Sequence, residues 1–337
     1  MSKKDLPDTA LLQGMRLPII LALAALLFCS PGALCQTNST LSGGLNSSDL
    51  QELLVNSSAG LRSYSFLMEM EQSTDLINLS SGESQELYTR SFGAGSVNMT
   101  ARSLKLVLSS ITLPDGEPVN VTATAIEEYL QNDSIYLKAD GNWTVMKYPG
   151  VAQAWSQQTT MKQQIDMINH SRLSVLGTEM VDGQECYVLR ADIDMVSFAD
   201  QLSKQVSAYL PVQSMNYSQL FSNMTLQAYY WIAKDTHLLK RSDVVENFVV
   251  SPTALGLPAK GPERQEMRVN STISLLYQGF DQEVEIRLPE DAGRARPIST
   301  LMTDFAQPVE PAPPQSALNE TRGNATLKGM AGPVSGA

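Results

Sequence analysis

The sequence predicts an α+β fold organised around an antiparallel sheet, and two observations carry this prediction. Short stretches with apolar residues at alternating positions recur along the chain, separated by turn signals such as Asp115-Gly116 and Asp140-Gly141. Between some of these stretches lie segments whose apolar residues follow a helical spacing instead. Because the turns are tight, antiparallel pairing of neighbouring strands is the natural arrangement.

The N-terminus has the outline of a signal peptide. Basic residues precede a short apolar run at residues 17–28, and small residues follow it. The run has about 12 residues, whereas a membrane-spanning helix needs roughly 20. We expect cleavage after Cys35. The alternatives are a lipid anchor on Cys35 and a start at Met15, which would give a shorter signal.

Composition divides the chain into regions. The signal peptide covers residues 1–35, and residues 36–47 are expected to be a flexible, glycosylated N-terminus. Residues 48–292 form the expected folded domain, within which the Pro- and Gly-rich segment 251–262 is predicted to be a mobile loop. Residues 293–337 are rich in Pro, Ala and Ser and are expected to be a disordered, glycosylated tail.

The folded domain begins with a short helix, after which the spacing of the apolar residues changes from that of a helix to the alternation of a strand. Leu50, Leu53 and Leu54 lie on one side of a helix predicted near residues 48–60. Ser48 or Asp49 is expected to cap it. The next stretch, YSFLMEM, alternates in the manner of a half-buried strand. Its inward side chains are Tyr64, Phe66, Met68 and Met70.

Further strands and helices follow along the chain. Alternation predicts strands near residues 86–92, 101–111, 119–130, 134–139 and 143–147. Helical spacing after Pro149 predicts a helix built on Val151, Trp155, Met161, Ile165 and Ile168. One or two more helices are expected between residues 194 and 222.

Two hairpins complete the expected sheet. Residues 172–193 read as a hairpin with Asp182-Gly183 at its tip, and a second one turns at Lys234-Asp235. The stretches MRVNSTISLLYQGF and QEVEIRLP then close the ordered part.

Asparagine usage is dominated by one triplet. Of the 15 asparagines, 14 are followed two residues later by Ser or Thr, whereas chance would give about two or three. We interpret this excess as N-glycosylation of an exported protein, with the plain acceptor used by archaea and eukaryotes. The bacterial acceptor is longer, so the pattern favours an archaeal source. The expected sites are Asn38, Asn46, Asn56, Asn78, Asn98, Asn120, Asn132, Asn142, Asn169, Asn216, Asn223, Asn270, Asn319 and Asn324.

A glycan must point to solvent, so a modified asparagine fixes which residues of its strand face inward. The inward sets predicted from Asn223, Asn270 and Asn142 are, respectively, Met224, Leu226, Ala228, Tyr230 and Ile232; Ile273, Leu275 and Tyr277; and Trp143 and Val145. Asn98 breaks this rule, because it would turn Leu104 outward unless a bulge lies near Ala101.

Little in the chain points to catalysis. The two histidines, His170 and His237, have no metal-ligand partners at suitable spacing. The GAGSVNM stretch at residues 93–99 has no βαβ unit around it, and no GxSxG motif occurs. Cys186, the only cysteine beyond the signal, reads as a buried strand residue. We therefore expect no enzyme activity, no metal and no cofactor, and the formal net charge of −11 disfavours nucleic acid.

Four stretches carry a family resemblance: LRSYSFLMEM, EYLQNDSIYLKADGNWTVM, VLGTEMVDGQECYVLRADI and YYWIAKDTHLLKR. In this order, with helical segments among them, they resemble the LolA-like and LppX/LprG-like lipoprotein carrier superfamily over roughly residues 48–290. The resemblance implies a strongly curved antiparallel β-sheet, a half-barrel, with helices packed in the concave side and an apolar chamber between them.

The leading hypothesis is therefore a non-enzymatic, exported cell-envelope glycoprotein that carries or chaperones a lipid or lipid-linked glycan. The expected ligand-binding residues are Tyr64, Phe66, Met68, Tyr136, Trp143, Trp155, Leu226, Tyr230, Ile273 and Leu275. The alternative is a structural surface-coat glycoprotein whose side chains fill the core and whose partners are envelope proteins. A third reading, an envelope hydrolase, needs acids that converge in the chamber. Peripheral contact with a membrane is compatible with the first two.

Overall fold

The computed structural model describes residues 46–114, 122–131, 133–147, 160–169, 171–193, 195, 224–251 and 265–297. These residues form two α-helices, α1 (Ser47–Ala59) and α2 (Thr160–Asn169), and a 3-10 helix (Glu290–Arg294). They also form twelve strands: β1 (Ser63–Asn78), β2 (Ser84–Asn98), β3 (Ser103–Pro114), β4 (Thr122–Gln131), β5 (Ser134–Ala139), β6 (Asn142–Lys147), β7 (Ser171–Val181), β8 (Gln184–Ile193), β9 (Thr225–Ala233), β10 (Leu239–Val250), β11 (Gln265–Gln278) and β12 (Arg296–Pro297).

All twelve described strands belong to one large, curved and unclosed sheet. Its order is β12-β6-β5-β4-β3-β2-β1-β11-β10-β9-β8-β7, so β12 and β7 are the two ends. Every neighbouring pair is antiparallel except β12 and β6, which are parallel. The antiparallel arrangement predicted from the tight turns is thus confirmed.

Two of the predicted Asp-Gly turns have the backbone that a two-residue hairpin needs. Asp140 and Gly141 have φ angles of 49° and 77°, and Asp182 and Gly183 have 47° and 76°. Positive φ at both central residues is typical of the type I′ turn, whose twist matches that of the flanking strands. These turns set the registers of β5 with β6 and of β7 with β8.

One face of the sheet, which we call the core face, carries the main apolar cluster. Its register places Met70 beside Ile273, and Ile273 beside Val244, so that alternate residues of each strand meet on the same side. The buried strand members of the cluster are Tyr64, Phe66, Met68, Met70, Val97, Leu104, Leu106, Leu108, Leu130, Leu173, Leu189, Ala191, Ala228, Tyr230, Ile232, Leu239, Val244, Ile273, Leu275 and Tyr277.

The glycines of the GAGSVNM stretch lie in β2, on the core face. β2 continues through Gly93 and Gly95, and Gly95 is the register partner of Phe66. A Cβ on Gly95 would lie only 2.1 Å from Cζ of Phe66. Glycine is therefore needed because the Phe66 ring lies directly against the backbone of β2.

Helix α1 packs its leucines into the same cluster. Leu50 and Leu54 are completely buried there, whereas Leu53 is half-buried. The predicted caps, Ser48 and Asp49, are wrong, because the N-cap residue is Asn46. Its side-chain oxygen accepts the backbone N–H of Asp49 at 2.8 Å, and the Asp49 carboxylate accepts the N–H of Asn46 in return.

Helix α2 joins the cluster beside α1. Met161, Ile165 and Ile168 are buried, as their spacing predicts, although residues 151–159 of the predicted helix lie outside the described part of the chain. Gln51 of α1 donates to the side-chain oxygen of Asn169 at 3.1 Å, which ties the two helices together.

The other face of the sheet, the opposite face, carries a smaller cluster over β4, β5 and β6. The chain from 279 to 297, which we call the strap, lies over it. Ile286 and Ala292 of the strap pack with Tyr129 and Trp143. The side-chain amide of Asn98 donates to the Val284 carbonyl at 2.8 Å and holds the strap to β2.

Several expected elements fall outside the described residues. These are the signal peptide, the Asp115-Gly116 turn, the helices expected within residues 194–222 apart from residue 195, the loop 251–262 apart from residue 251, and the tail from residue 298 onward. Within the described part, no helix is long and apolar enough to cross a membrane.

Candidate ligand-binding site

The core face brings together seven of the ten residues predicted to bind a ligand. They are Tyr64, Phe66, Met68, Leu226, Tyr230, Ile273 and Leu275. Six of them are buried, while Leu226 is half-buried and packs at the margin of the cluster. Trp155 lies outside the described residues.

The aromatic members of this set are enclosed by protein. Tyr64 lies 5.9 Å from Tyr277 and 6.4 Å from Phe66, measured between ring centroids. The Tyr64 hydroxyl accepts the backbone N–H of Met161 at 3.2 Å, so α2 closes over it. These rings therefore build the wall of the core face, and the accessible apolar surface must be sought elsewhere.

Tyr136 and Trp143 lie on the opposite face, so the prediction that they line the same chamber as Tyr64 is wrong. Trp143 packs there against Tyr129, 5.8 Å away between centroids, under the strap. The error came from Asn142, which is exposed because it adjoins the β5–β6 turn and not because of the face it lies on. Alternation in the strap at Val284, Ile286 and Leu288 was the available signal for this second cluster.

The other inward sets predicted from asparagines are confirmed. Asn270 is exposed, whereas Ile273, Leu275 and Tyr277, which point to the other face of the same strand, belong to the core-face cluster. Asn223 lies outside the described residues, but Tyr230 and Ile232 are buried on the core face as predicted. The bulge proposed near Ala101 is wrong, because a turn from residue 99 to 102 separates Asn98 from β3 and resets the alternation.

A polar row crosses the core face near one end of the cluster. In register, Glu246 of β10 is beside Ser271 of β11, and Ser271 is beside Gln72 of β1. Glu246 keeps only 4% of its surface exposed and Ser271 only 2%. Within the described part of the chain, neither the Glu246 Oε2 atom nor the Ser271 hydroxyl has a hydrogen-bond partner.

Two more hydroxyls without partners lie close to this row. Ser242 is the register neighbour of both Leu275 and Tyr230, and the hydroxyls of Ser242 and Tyr230 are buried with no partner among the described residues. Burial raises the pKa of Glu246 to about 7 and raises the pKa of Tyr230 as well. The core face thus contains buried polar groups that have no hydrogen-bond partner among the described residues.

A second carboxyl, that of Glu128, lies on the core face among apolar neighbours. Its register partners are Leu106 of β3 and Leu137 of β5, and it is half-buried. Burial raises its pKa to about 7. Four strands lie between β4 and β10 in the sheet order, so Glu128 and Glu246 belong to separate regions of the face.

The strap also contains a charged contact. Asp291 lies against the Trp143 indole and 3.3 Å from the Lys138 ammonium, and these two groups lower the pKa of Asp291.

Cys186 is buried on the opposite face beside Trp231, and burial raises the pKa of its thiol. Within the described ranges, no three His, Cys, Asp or Glu side chains are grouped to hold a metal ion.

Comparison with known proteins gives a family and several structural likenesses. The family model described as "Family of unknown function (DUF6612)" matches residues 47–296. No curated protein is detectably similar in sequence. The lipoprotein LppX of Mycobacterium tuberculosis is 14% identical with a TM-score of 0.33, over 72% of this chain and 98% of LppX.

Two further solved structures are similar at the same level. LprF from Mycobacterium bovis is 14% identical with a TM-score of 0.34, over 72% of this chain and 97% of LprF. A DUF1329 family protein from Desulfovibrio piger is 14% identical with a TM-score of 0.23, over 71% and 95% of the two chains. At this identity and these TM-scores, the likenesses carry no argument about ligand or role.

Proposed function

We propose that this chain, which belongs to the family of unknown function (DUF6612), binds an apolar or amphiphilic small molecule on its core face. It acts without catalysis, as a carrier or chaperone for a lipid or lipid-linked glycan in the cell envelope. In this proposal the core face is the concave side of the curved sheet. Helices α1 and α2 lie in the concavity.

The observation that carries this proposal is the incomplete cover of the core face. Leu226 of β9 and Ile193 of β8 belong to its apolar cluster but remain half-buried, and so do Ile126 of β4 and Ile135 of β5. Apolar side chains left partly open beside buried polar atoms without partners are typical of a binding site. Burying an acyl chain against them would contribute about 0.8 kcal/mol per methylene.

Binding of an uncharged apolar probe tests this proposal. We expect the full chain to bind diphenylhexatriene with increased probe fluorescence, and Leu226→Gln to weaken binding about tenfold because it replaces apolar contact with an amide. Leu67→Gln is the matched control, since Leu67 is 44% exposed on the opposite face. No binding by the wild type, or equal binding by both variants, would contradict the proposal.

A structural role is the second candidate, and the aromatic wall favours it. Tyr64 and Phe66 are packed against α2 and Gly95 in the manner of an ordinary core. A surface-coat glycoprotein of this kind would bind envelope proteins and no lipid. Native mass spectrometry after exposure to a lipid extract separates the two candidates, because only a carrier retains a lipid.

We also propose that the chain is exported and N-glycosylated at exposed acceptor asparagines. Asn56 and Asn270 are exposed and free of the strap, whereas the Asn98 amide is engaged with the Val284 carbonyl. We therefore expect peptide mapping by mass spectrometry of the native protein to find glycans on Asn56 and Asn270 and an unmodified Asn98. A fully occupied Asn98 would mean that the strap docks differently from the arrangement described above.

A further inference from the structure

The polar row on the core face is built in a way that an apolar ligand alone does not explain. Glu246 and Ser271 lie side by side, both more than nine-tenths buried, and both lack hydrogen-bond partners among the described residues. A buried polar group without a partner costs about 1–3 kcal/mol, and more when it is charged. A group that brings hydrogen-bond donors to the carboxyl would remove this cost.

The row continues on one side into neutral hydroxyl and amide groups. Gln72 is the register partner of Thr89, and Thr89 is the partner of Thr112. The two threonine hydroxyls lie 3.0 Å apart, and the Gln72 amide donates to the Thr74 hydroxyl at 2.9 Å. These groups can both donate and accept hydrogen bonds, which suits a hydroxylated head.

On its other side the row meets the open apolar surface. Leu226 is the register partner of Glu246 across β9 and β10, and it is one of the half-buried members of the apolar cluster. Ile193, at the end of the neighbouring strand β8, is another. An amphiphile lying across the strands would place its head at Glu246 and its tail toward Leu226.

The charge of the row decides which head it takes. Among the described residues no cation forms an ion pair with Glu246. When Glu246 is ionised, a phosphate or carboxylate head would meet a like charge in a poorly solvated place, which is unfavourable. We propose that Glu246 and Ser271 bind the hydroxyl groups of a neutral, polyol-headed amphiphile, an inference that rests on the proposed function and names its ligand class.

Competition between two probes with the same acyl chain tests this. At pH 8, monoolein has a neutral glycerol head and oleic acid an ionised carboxylate; both are delivered from cyclodextrin to the full chain loaded with diphenylhexatriene. We expect monoolein to displace the probe at a concentration about tenfold lower than oleate does. Glu246→Gln should bring the two concentrations close together, because it removes the like charge that excludes oleate.

A second variant keeps the proposal testable if Glu246→Gln does not fold. Ser271→Ala should weaken displacement by monoolein and leave displacement by oleate unchanged. The matched controls are Glu69→Gln and Ser73→Ala, because both residues lie on the opposite face of β1, where Glu69 pairs with Arg90 and Ser73 with Glu86. Both controls should keep the wild-type ratio.

The outcomes separate this inference from the proposed function. If the wild type binds diphenylhexatriene but oleate displaces it as well as monoolein does, the head-group site is overturned and the apolar site stands. If Glu246→Gln and Ser271→Ala both keep the wild-type ratio, the inference is likewise overturned. Absence of any probe binding overturns the proposed function itself.

Discussion

Replacing Gly95 with alanine is expected to lower the free energy of unfolding by about 3 kcal/mol and the melting temperature by roughly 10 °C. The added methyl group would lie 2.1 Å from Cζ of Phe66, so the ring must leave its place. Phe66 cannot move freely, because Tyr64 and Tyr277 lie 6.4 Å from it between centroids. Thermal and urea unfolding of the purified variant measure the loss.

Two other glycines of the chain provide graded controls. A methyl group on Gly93 would lie 3.2 Å from a Leu108 methyl, 3.3 Å from the Met68 terminal methyl and 3.3 Å from the Val107 carbonyl oxygen. These contacts are tight but much longer than the one at Gly95, so a smaller loss is expected. A methyl group on Gly60 would meet nothing within 4 Å. A Gly95→Ala variant as stable as Gly60→Ala would show that the Phe66 ring does not require a glycine at this position.

The second large effect is a dependence on pH carried by Glu246. Burial raises its pKa in the folded protein to about 7, from the ordinary value of 4.5. Between these values the unfolded chain has already released the proton that the folded chain retains, so stability falls as pH rises through this window. A difference of this size corresponds to about 3 kcal/mol once the pH is above both values.

Glu246→Gln removes this ionisation and should change the pH profile accordingly. We expect the variant and the wild type to have similar stabilities at pH 4, and the variant to be more stable by about 3 kcal/mol at pH 8.5. Urea unfolding of both proteins at the two pH values measures the difference in their free energies of unfolding under identical conditions. Parallel profiles for the two proteins would show that Glu246 ionises in the folded state as easily as in the unfolded chain.

Local sequence signals predicted those parts of the fold that depend on neighbours along the chain. The type I′ turn at Asp182-Gly183 needs positive φ at two adjacent residues, and an Asp-Gly pair supplies it. Alternation placed Tyr64 and Phe66 on one face, because strand side chains have a period of two. The same period of two places Ile273 and Leu275 on the face opposite to Asn270.

Contacts between segments that are distant in sequence were not predictable from local patterns. Trp143 is buried by the strap, some 140 residues further along the chain, and no local period indicates which face such a segment will cover. The Asn98 amide is likewise occupied by Val284, far away in sequence. Glu246 and Ser271 are not among the residues predicted from the sequence, because their position side by side depends on the register of β10 with β11.

The short strand β12 has a consequence for self-association. Arg296 and Pro297 pair with Thr144 and Val145 along the outer edge of β6, where the sheet would otherwise end with open backbone groups. Because proline has no N–H, the ladder cannot be continued by another chain past this residue. Where β12 covers Thr144 and Val145, the edge of β6 is therefore shielded from the strand-to-strand stacking that leads to fibrils.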